Sequence, residues 1–210
     1  MRDRRAALSV EQRLREAEAV AEAFVVWIRS SRPWLTTRRE EAGSAPGEPL
    51  RALSFVGVRG ELDTAPLHRA LLDAGARLWL PRIEGPGVLA CYEVRDLHAL
   101  CHGPHGLREP APEGERLTRA SLSSLDLVLT PGVAFGRDGA RLGQGGGYYD
   151  RLLGDAAGGA RPVCVGVGFA SQLVDAGMIP MDPHDVPLDG VLTSAGVCAT
   201  SPRLHPRSQG

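Results

Sequence analysis

The sequence predicts an α/β fold, a three-layer α/β/α sandwich around a central, mostly parallel sheet. Two observations carry that expectation. Strand-like apolar runs alternate with helical patterns along the chain, and the runs are bounded by Gly and Pro. The 210 residues, 43% of them apolar, are enough for one buried core.

The elements follow in order. Ser9 and Gln12 have the spacing of a capping box, in which each side chain meets the other residue's backbone N–H. Val10, Leu14, Ala17, Ala21, Phe24 and Ile28 then recur at three- and four-residue spacing, one face of a helix, with Pro33 beyond its end. Residues 36–50, rich in Gly, Pro and charge, read as a flexible loop inside a single domain of residues 1–199. Residues 53–58 read as a strand and 64–74 as a helix, with Thr64 as its cap, Pro66 in its first turn and Gly75 as its stop. Short strands are expected at 77–81, ended by Pro81, and at 88–92, before a loop-like 102–118. A strand at 125–130 leads into a long loop to Gly147, and a helix from there to Leu153. Strands at 162–169 and 190–193 complete the set, and the polar residues 200–210 read as a disordered tail.

Composition narrows the chemistry. All 24 basic residues are arginine, which excludes a lysine Schiff base, a Walker lysine and a kinase-type strand lysine. Any phosphate must then be held by arginine, backbone N–H groups or a metal. A net charge of −1 and a pI near 6.6 give no sign of nucleic-acid binding. No apolar run approaches the roughly 20 residues that cross a bilayer, and no signal-peptide core follows Met1. Cys91, Cys101, Cys164 and Cys198 lie far apart, as reduced thiols of a cytoplasmic protein would.

The chemistry concentrates in Arg141-Leu-Gly-Gln-Gly-Gly-Gly-Tyr-Tyr-Asp-Arg151. Glycines between a strand and a helix let consecutive N–H groups approach phosphate oxygens, and the helix start adds its positive end. Arg141 and Arg151 can add bidentate charge, and Asp150 can hold Mg²⁺. No Gly-Lys-Ser/Thr closes the run, so it is not a P-loop, and Tyr148 stands where a dinucleotide fingerprint needs its third glycine. Glycines alone fit a plain turn equally well; the flanking Arg, Tyr and Asp residues argue for a ligand.

This run, with Leu129-Thr-Pro-Gly-Val-Ala-Phe135 and Asp138-Gly139 before it, resembles the signature of 5-formyltetrahydrofolate cyclo-ligases. Gly60-Glu-Leu-Asp-Thr64, Leu80-Pro-Arg82, Gly106-Leu-Arg-Glu-Pro110 and Pro183-His-Asp-Val-Pro-Leu-Asp189 resemble further family elements in the same order. The resemblance implies ATP-dependent conversion of 5-formyltetrahydrofolate to 5,10-methenyltetrahydrofolate, with ADP and phosphate released. It implies ATP contacts at Arg141, Leu142, Gly143, Gln144, Gly145, Gly146, Gly147, Tyr148 and Tyr149, with Arg141, Tyr148 and Asp150 as the catalytic set. Folate contacts are implied at Val56, Glu61, Gln144, Gly145, Gly146, Gly147 and Tyr148, and Mg²⁺ ligands at Asp150 and Asp185. Glu61 suits a pterin, whose ring N–H and amino donors a carboxylate accepts. The implied partners are small molecules, ATP and a folate with one or several glutamates, and the chain is expected to act as a monomer without membrane or nucleic acid.

The sequence departs from the family pattern at its start, where a segment carrying Lys and Arg toward ATP is mostly missing. The alternatives are substitution by Arg2, Arg4 or Arg5, a misplaced start, or a weakened ATP site, and an Arg-rich terminus by itself reads as a solvated charge run. Gly146 replaces a lysine of some relatives. The alternatives are a relative that binds folate or nucleotide without turnover, and an ATP-independent isomerase or transferase on a similar scaffold. Cys91, His98, Cys101, His102 and His105 fit no ordinary zinc spacing. Asp63 reads as a helix-start residue, His184 as a surface group, Trp27 and Trp79 as core and Trp34 as a loop anchor.

Overall fold

The structure, a computed structural model, describes residues 8–41, 45–58, 60–85, 88–103, 106–145, 149, 152, 154, 161–182 and 185–204. Helix α1 spans Val10–Glu41 and opens with the reciprocal capping box: Ser9 N–H donates to Gln12 Oε1 at 2.8 Å, and Gln12 N–H to Ser9 Oγ at 3.1 Å. Its buried stripe is Ala17, Val20, Ala21, Phe24, Ile28 and Leu35, whereas Val10 and Leu14 are exposed. The helix does not stop before Pro33. Proline removes one backbone donor, but Leu35 is buried seven residues beyond Ile28 on the same face, and Trp34 packs on the same core. Tertiary packing therefore carries the helix through residues that composition alone reads as loop, and Trp34 is a helix residue.

Strand β1, Arg51–Leu53, starts and ends earlier than expected, and residues 54–58 leave the sheet. Helix α2, Ala65–Asp73, has Pro66 in its first turn and ends at Gly75, whose φ of +77° suits glycine. Its first amide is capped by Asp63 Oδ1, which accepts from Ala65 N–H at 2.9 Å; the Thr64 hydroxyl turns to Phe55 O instead. β2, Arg77–Gly85, runs past Pro81, because β1 pairs with it only at residues 77–79 and the proline's missing N–H costs no ladder bond there. β3, Val88–Val94, pairs antiparallel with β2. The segment expected to be loop contains the two-residue ladder of β4, Cys101–His102, and β5, Arg108–Glu109, and an isolated antiparallel bridge from Arg116 to Tyr92 of β3. A one-turn helix α3, Arg119–Leu122, precedes β6, Leu127–Thr130.

The stretch after β6 is not all loop. β7, Ala134–Gly136, and β8, Arg141–Leu142, form a hairpin that joins β10, Leu173–Val174, in a small second sheet. Tyr149, Leu152 and Gly154 are helical, where a helix was expected. β9 is Val163–Val167 and β11 Gly190–Thr193, and β12, Gly196–Ala199, is an added antiparallel edge.

The main sheet has the order β12-β11-β9-β6-β1-β2-β3, with parallel pairing from β11 to β2 and an antiparallel strand at each edge. Helices α1 and α2 cover one face, burying Phe24, Leu67 and Leu71 against Leu78, Leu127 and Val165. The other face packs Leu53, Trp79 and Val128 against Leu122, Phe135 and Leu188. Each fully buried Leu or Phe contributes roughly 2 kcal/mol. Nor does the tail begin at 200. Asp189 is fully buried and takes hydrogen bonds from Arg161 at 3.0 Å, Arg203 at 3.1 Å and Cys164 N–H at 2.9 Å, while Leu204, next to Arg203, is buried. An unpaired carboxylate there would be costly, so the arginine holds residues 200–204 on the sheet.

Candidate functional site

The strand order reverses at β1. The chain leaves β1 for β2 on one side and later places β6 on the other, so the crevice beyond the carboxyl ends of β1 and β6 is the switch point where open α/β sheets bind ligands. Residues 54–64 leave from β1, and the strand end at Thr130 leads toward the glycine-rich run.

On the first side the backbone is closely packed. A Cβ on Gly57 would fall 2.1 Å from Leu62 O, and Gly60 has φ +81°, so both positions need glycine. Thr64 Oγ1 donates to Phe55 O at 2.9 Å. Glu61 Oε2 accepts from Val58 N–H at 3.0 Å. Val56 and Glu61 line a cavity of ≈ 1040 Å³ together with His68, Arg69, Leu97 and Arg108.

The second side is set up by the β7–β8 hairpin. Asp138 accepts from Gly177 N–H at 2.6 Å and Ala140 N–H at 3.2 Å, and these donors hold its carboxyl below the usual range. Gly139, at φ +89°, leaves room for Leu188 O, which a Cβ would approach to 2.6 Å. Gln172, buried, accepts from Phe169 N–H and donates to Gly132 O and Val133 O, fixing the turn after β6. Val133 N–H donates to Leu142 O at 2.7 Å. Arg141 then lies over the Tyr149 ring, 5.8 Å from its centroid. Desolvation raises the Tyr149 phenol well above its ordinary range, with Cys91 and Glu61 adding to the rise and Arg141 opposing it, so the hydroxyl stays a donor.

The two sides meet in one contact. Gln144 Nε2 donates to Glu61 Oε1 at 2.6 Å, across 83 residues of sequence. The structure thus brings together Val56, Glu61, Arg141, Gln144 and Tyr149 around the crevice. Leu142 is exposed, Gly143 lies close to the Arg141 guanidinium, and Gly145 has φ +91° with open space around it. Gly146, Gly147, Tyr148, Asp150 and Arg151, with His105 and His184, lie outside the described residues. Asp185 takes a hydrogen bond from Asp182 N–H at 2.8 Å on Oδ2, and its segment is tied to the hairpin by Leu188 N–H donating to Gly139 O at 2.9 Å. Among the described residues no three His, Cys, Asp or Glu side chains gather as a metal ligand set. No helix of the described residues is long and apolar enough to cross a membrane.

Sequence reasoning missed Gln172 and His68. Gln172 carries no local signal. His68 does, as a polar residue between Leu67 and Leu71 on the buried face of α2. Thr130, also buried, ends β6 at the switch point with a hydroxyl that has no partner among the described residues.

A mostly parallel sheet with such a crevice defines the class, an α/β enzyme scaffold working at its carboxyl edge. Residues 49–194 match the family described as the 5-formyltetrahydrofolate cyclo-ligase family. The mitochondrial 5-formyltetrahydrofolate cyclo-ligase of Arabidopsis thaliana is 30% identical over 68% of this chain, a match spanning 58% of that relative's length. The 5-formyltetrahydrofolate cyclo-ligase of Escherichia coli is 36% identical over 68% of this chain and 77% of its own. The solved 5,10-methenyltetrahydrofolate synthetase of Aquifex aeolicus superposes with a TM-score of 0.66 at 29% identity, covering 100% of this chain and 92% of that one. The chain belongs to the 5-formyltetrahydrofolate cyclo-ligase family.

Proposed function

We propose that the chain converts 5-formyltetrahydrofolate to 5,10-methenyltetrahydrofolate at the cost of ATP. The observation that carries the reading is the Gln144–Glu61 hydrogen bond, which joins the acceptor suited to a pterin to the loop suited to phosphates. In the reaction the formyl oxygen attacks the γ-phosphorus and the bond to ADP breaks. N10 then attacks the formyl carbon and loses its proton, and the C–O bond breaks to release phosphate and close the ring. Such chemistry asks for positioning and charge stabilisation.

Glu61 accepts the pterin donors, and Val56 lines the same cavity. Arg141 neutralises charge on the transferring group, at the entrance to the glycine-rich run that the family resemblance assigns to the phosphates. By the family resemblance, Tyr148 and Asp150 complete the catalytic set. Asp185 suits Mg²⁺ as a hard oxygen donor, since Oδ1 carries no hydrogen bond among the described residues; Asp150 is its proposed partner. The ion, when bound, would neutralise negative charge on the phosphates. The substrates are small molecules, and the free cysteines of the described chain support a reducing, cytoplasmic setting.

The test is near-UV absorbance of methenyl product from 5-formyltetrahydrofolate with and without MgATP. The expected outcome is product only when MgATP is present. Equal product without ATP, or none with it, overturns the reading.

A further inference from the structure

Helix α2 turns Leu67, His68 and Leu71 into the protein, and His68 is only 2% exposed. An apolar side chain would satisfy packing at that point. The imidazole instead makes polar contacts with the chain that leaves β1. Its Nε2 lies 2.9 Å from Ser54 Oγ, itself buried, and a hydrogen bond joins the ring to the Phe55 backbone. Phe55 O also accepts from Thr64 Oγ1. Buried polar contacts therefore tie the start of residues 54–64 to α2 and to Thr64 at the segment's end, while Val56 and Glu61 stand between those ends. His68 borders the same cavity as those two residues. Burial lowers its pKa to about 3, so it acts as a neutral hydrogen-bonding group and brings no charge to the cavity.

We propose that His68, acting through Ser54 and Phe55, is a positioning residue that holds Val56 and Glu61 in the arrangement that receives the folate ring. The role rests on the folate reading above. A buried histidine and serine satisfy each other only in a narrow geometry, so the pair fixes the backbone where β1 ends more tightly than apolar packing does. Among the described residues the glycine-rich run makes no hydrogen bond to His68 or Ser54 and meets the segment only where Gln144 reaches Glu61, so the effect falls mainly on one substrate.

The test compares His68→Leu, His68→Gln and Ser54→Ala with the unaltered chain, by steady-state kinetics and by amide hydrogen exchange over residues 54–64. His68→Leu is expected to raise KM for 5-formyltetrahydrofolate about tenfold, the effect of one lost buried hydrogen bond, with KM for ATP within about twofold. Gln, which carries a polar group near the Nε2 position, recovers much of the loss, and the Val58 and Glu61 amides exchange faster in the Leu variant. Ser54→Ala removes one hydroxyl only and carries the same KM split if His68→Leu does not fold. Unchanged folate KM with unchanged exchange, or an equal rise in both KM values, overturns the proposal. If the unaltered chain forms no methenyl product, the functional reading fails, and the exchange measurement alone then decides whether His68 positions the segment.

Discussion

The two walls of the crevice are built differently. Residues 54–64 are held by buried contacts at both ends, with Gly57 against Leu62 O, Thr64 on Phe55 O and His68 on Ser54. The glycine-rich run is secured chiefly at its entrance, by the β7–β8 ladder, the Asp138 turn and Arg141 over Tyr149. Gly145 there has open space around it. On the proposed function, one wall would be an acceptor shaped before the substrate arrives, and the other would leave room for phosphate oxygens at Gly145. The difference suits the ligands, since a rigid ring rewards a preformed acceptor and a phosphate chain needs close backbone approach.

The largest effect is expected from Arg141→Met. Removing the charge-assisted contact should lower kcat/KM about 100-fold, and Arg141→Lys should restore only part, since the planar fork is lost. Steady-state kinetics check this, and near-normal turnover in the Met variant would remove the phosphate role from that wall.

Paired glycine substitutions probe rigidity directly. Gly57→Ala puts a methyl group into a backbone carbonyl and should cost about 3 kcal/mol in urea unfolding. Gly145→Ala meets open space and pays only for its positive φ, about 1 kcal/mol. Equal costs would erase the contrast between the walls.

The next expectation concerns pH. An unfolded histidine takes up a proton near 6.5, whereas folded His68 resists until about 3. The unfolded chain therefore binds more protons in that window. The stability from this group is complete above 6.5 and is lost as pH falls toward 3, by about 2 kcal/mol between pH 7 and pH 5. Urea unfolding at the two pH values measures it, and His68→Leu should flatten that part of the profile.

Glu61→Gln is the mildest of the set. It keeps one acceptor oxygen but presents an N–H₂ to ring donors, so folate KM should rise about tenfold while ATP KM stays within twofold. Unchanged folate affinity would take the pterin role away from Glu61.

Much of the fold was legible locally. The capping box at Ser9, the Gly75 stop and the strands at β6, β9 and β11 follow from caps, turn residues and apolar runs. The misreadings share one cause. Pro33, Pro81 and the polar residues from 200 all carry local signals to stop, and each was overridden by a distant contact: Leu35 in the core, the pairing of β2 with β3 past Pro81, and Arg203 on buried Asp189. The site shows the same division. Arg141, Gln144 and Glu61 stood out as residue types in recognisable runs, but His68 and Gln172 became visible only through what they touch.

By itself the sequence determined the alternating α/β pattern, the family, the exclusion of lysine chemistry and the glycine-rich loop with its arginine. Those properties reside in neighbouring residues, whose spacing sets periodicity, backbone freedom and charge. Only the tertiary structure decided that Gln144 meets Glu61 and that a buried histidine stands behind residues 54–64. Both depend on β6 lying beside β1, a strand order settled by the burial of two whole sheet faces rather than by any local run of residues.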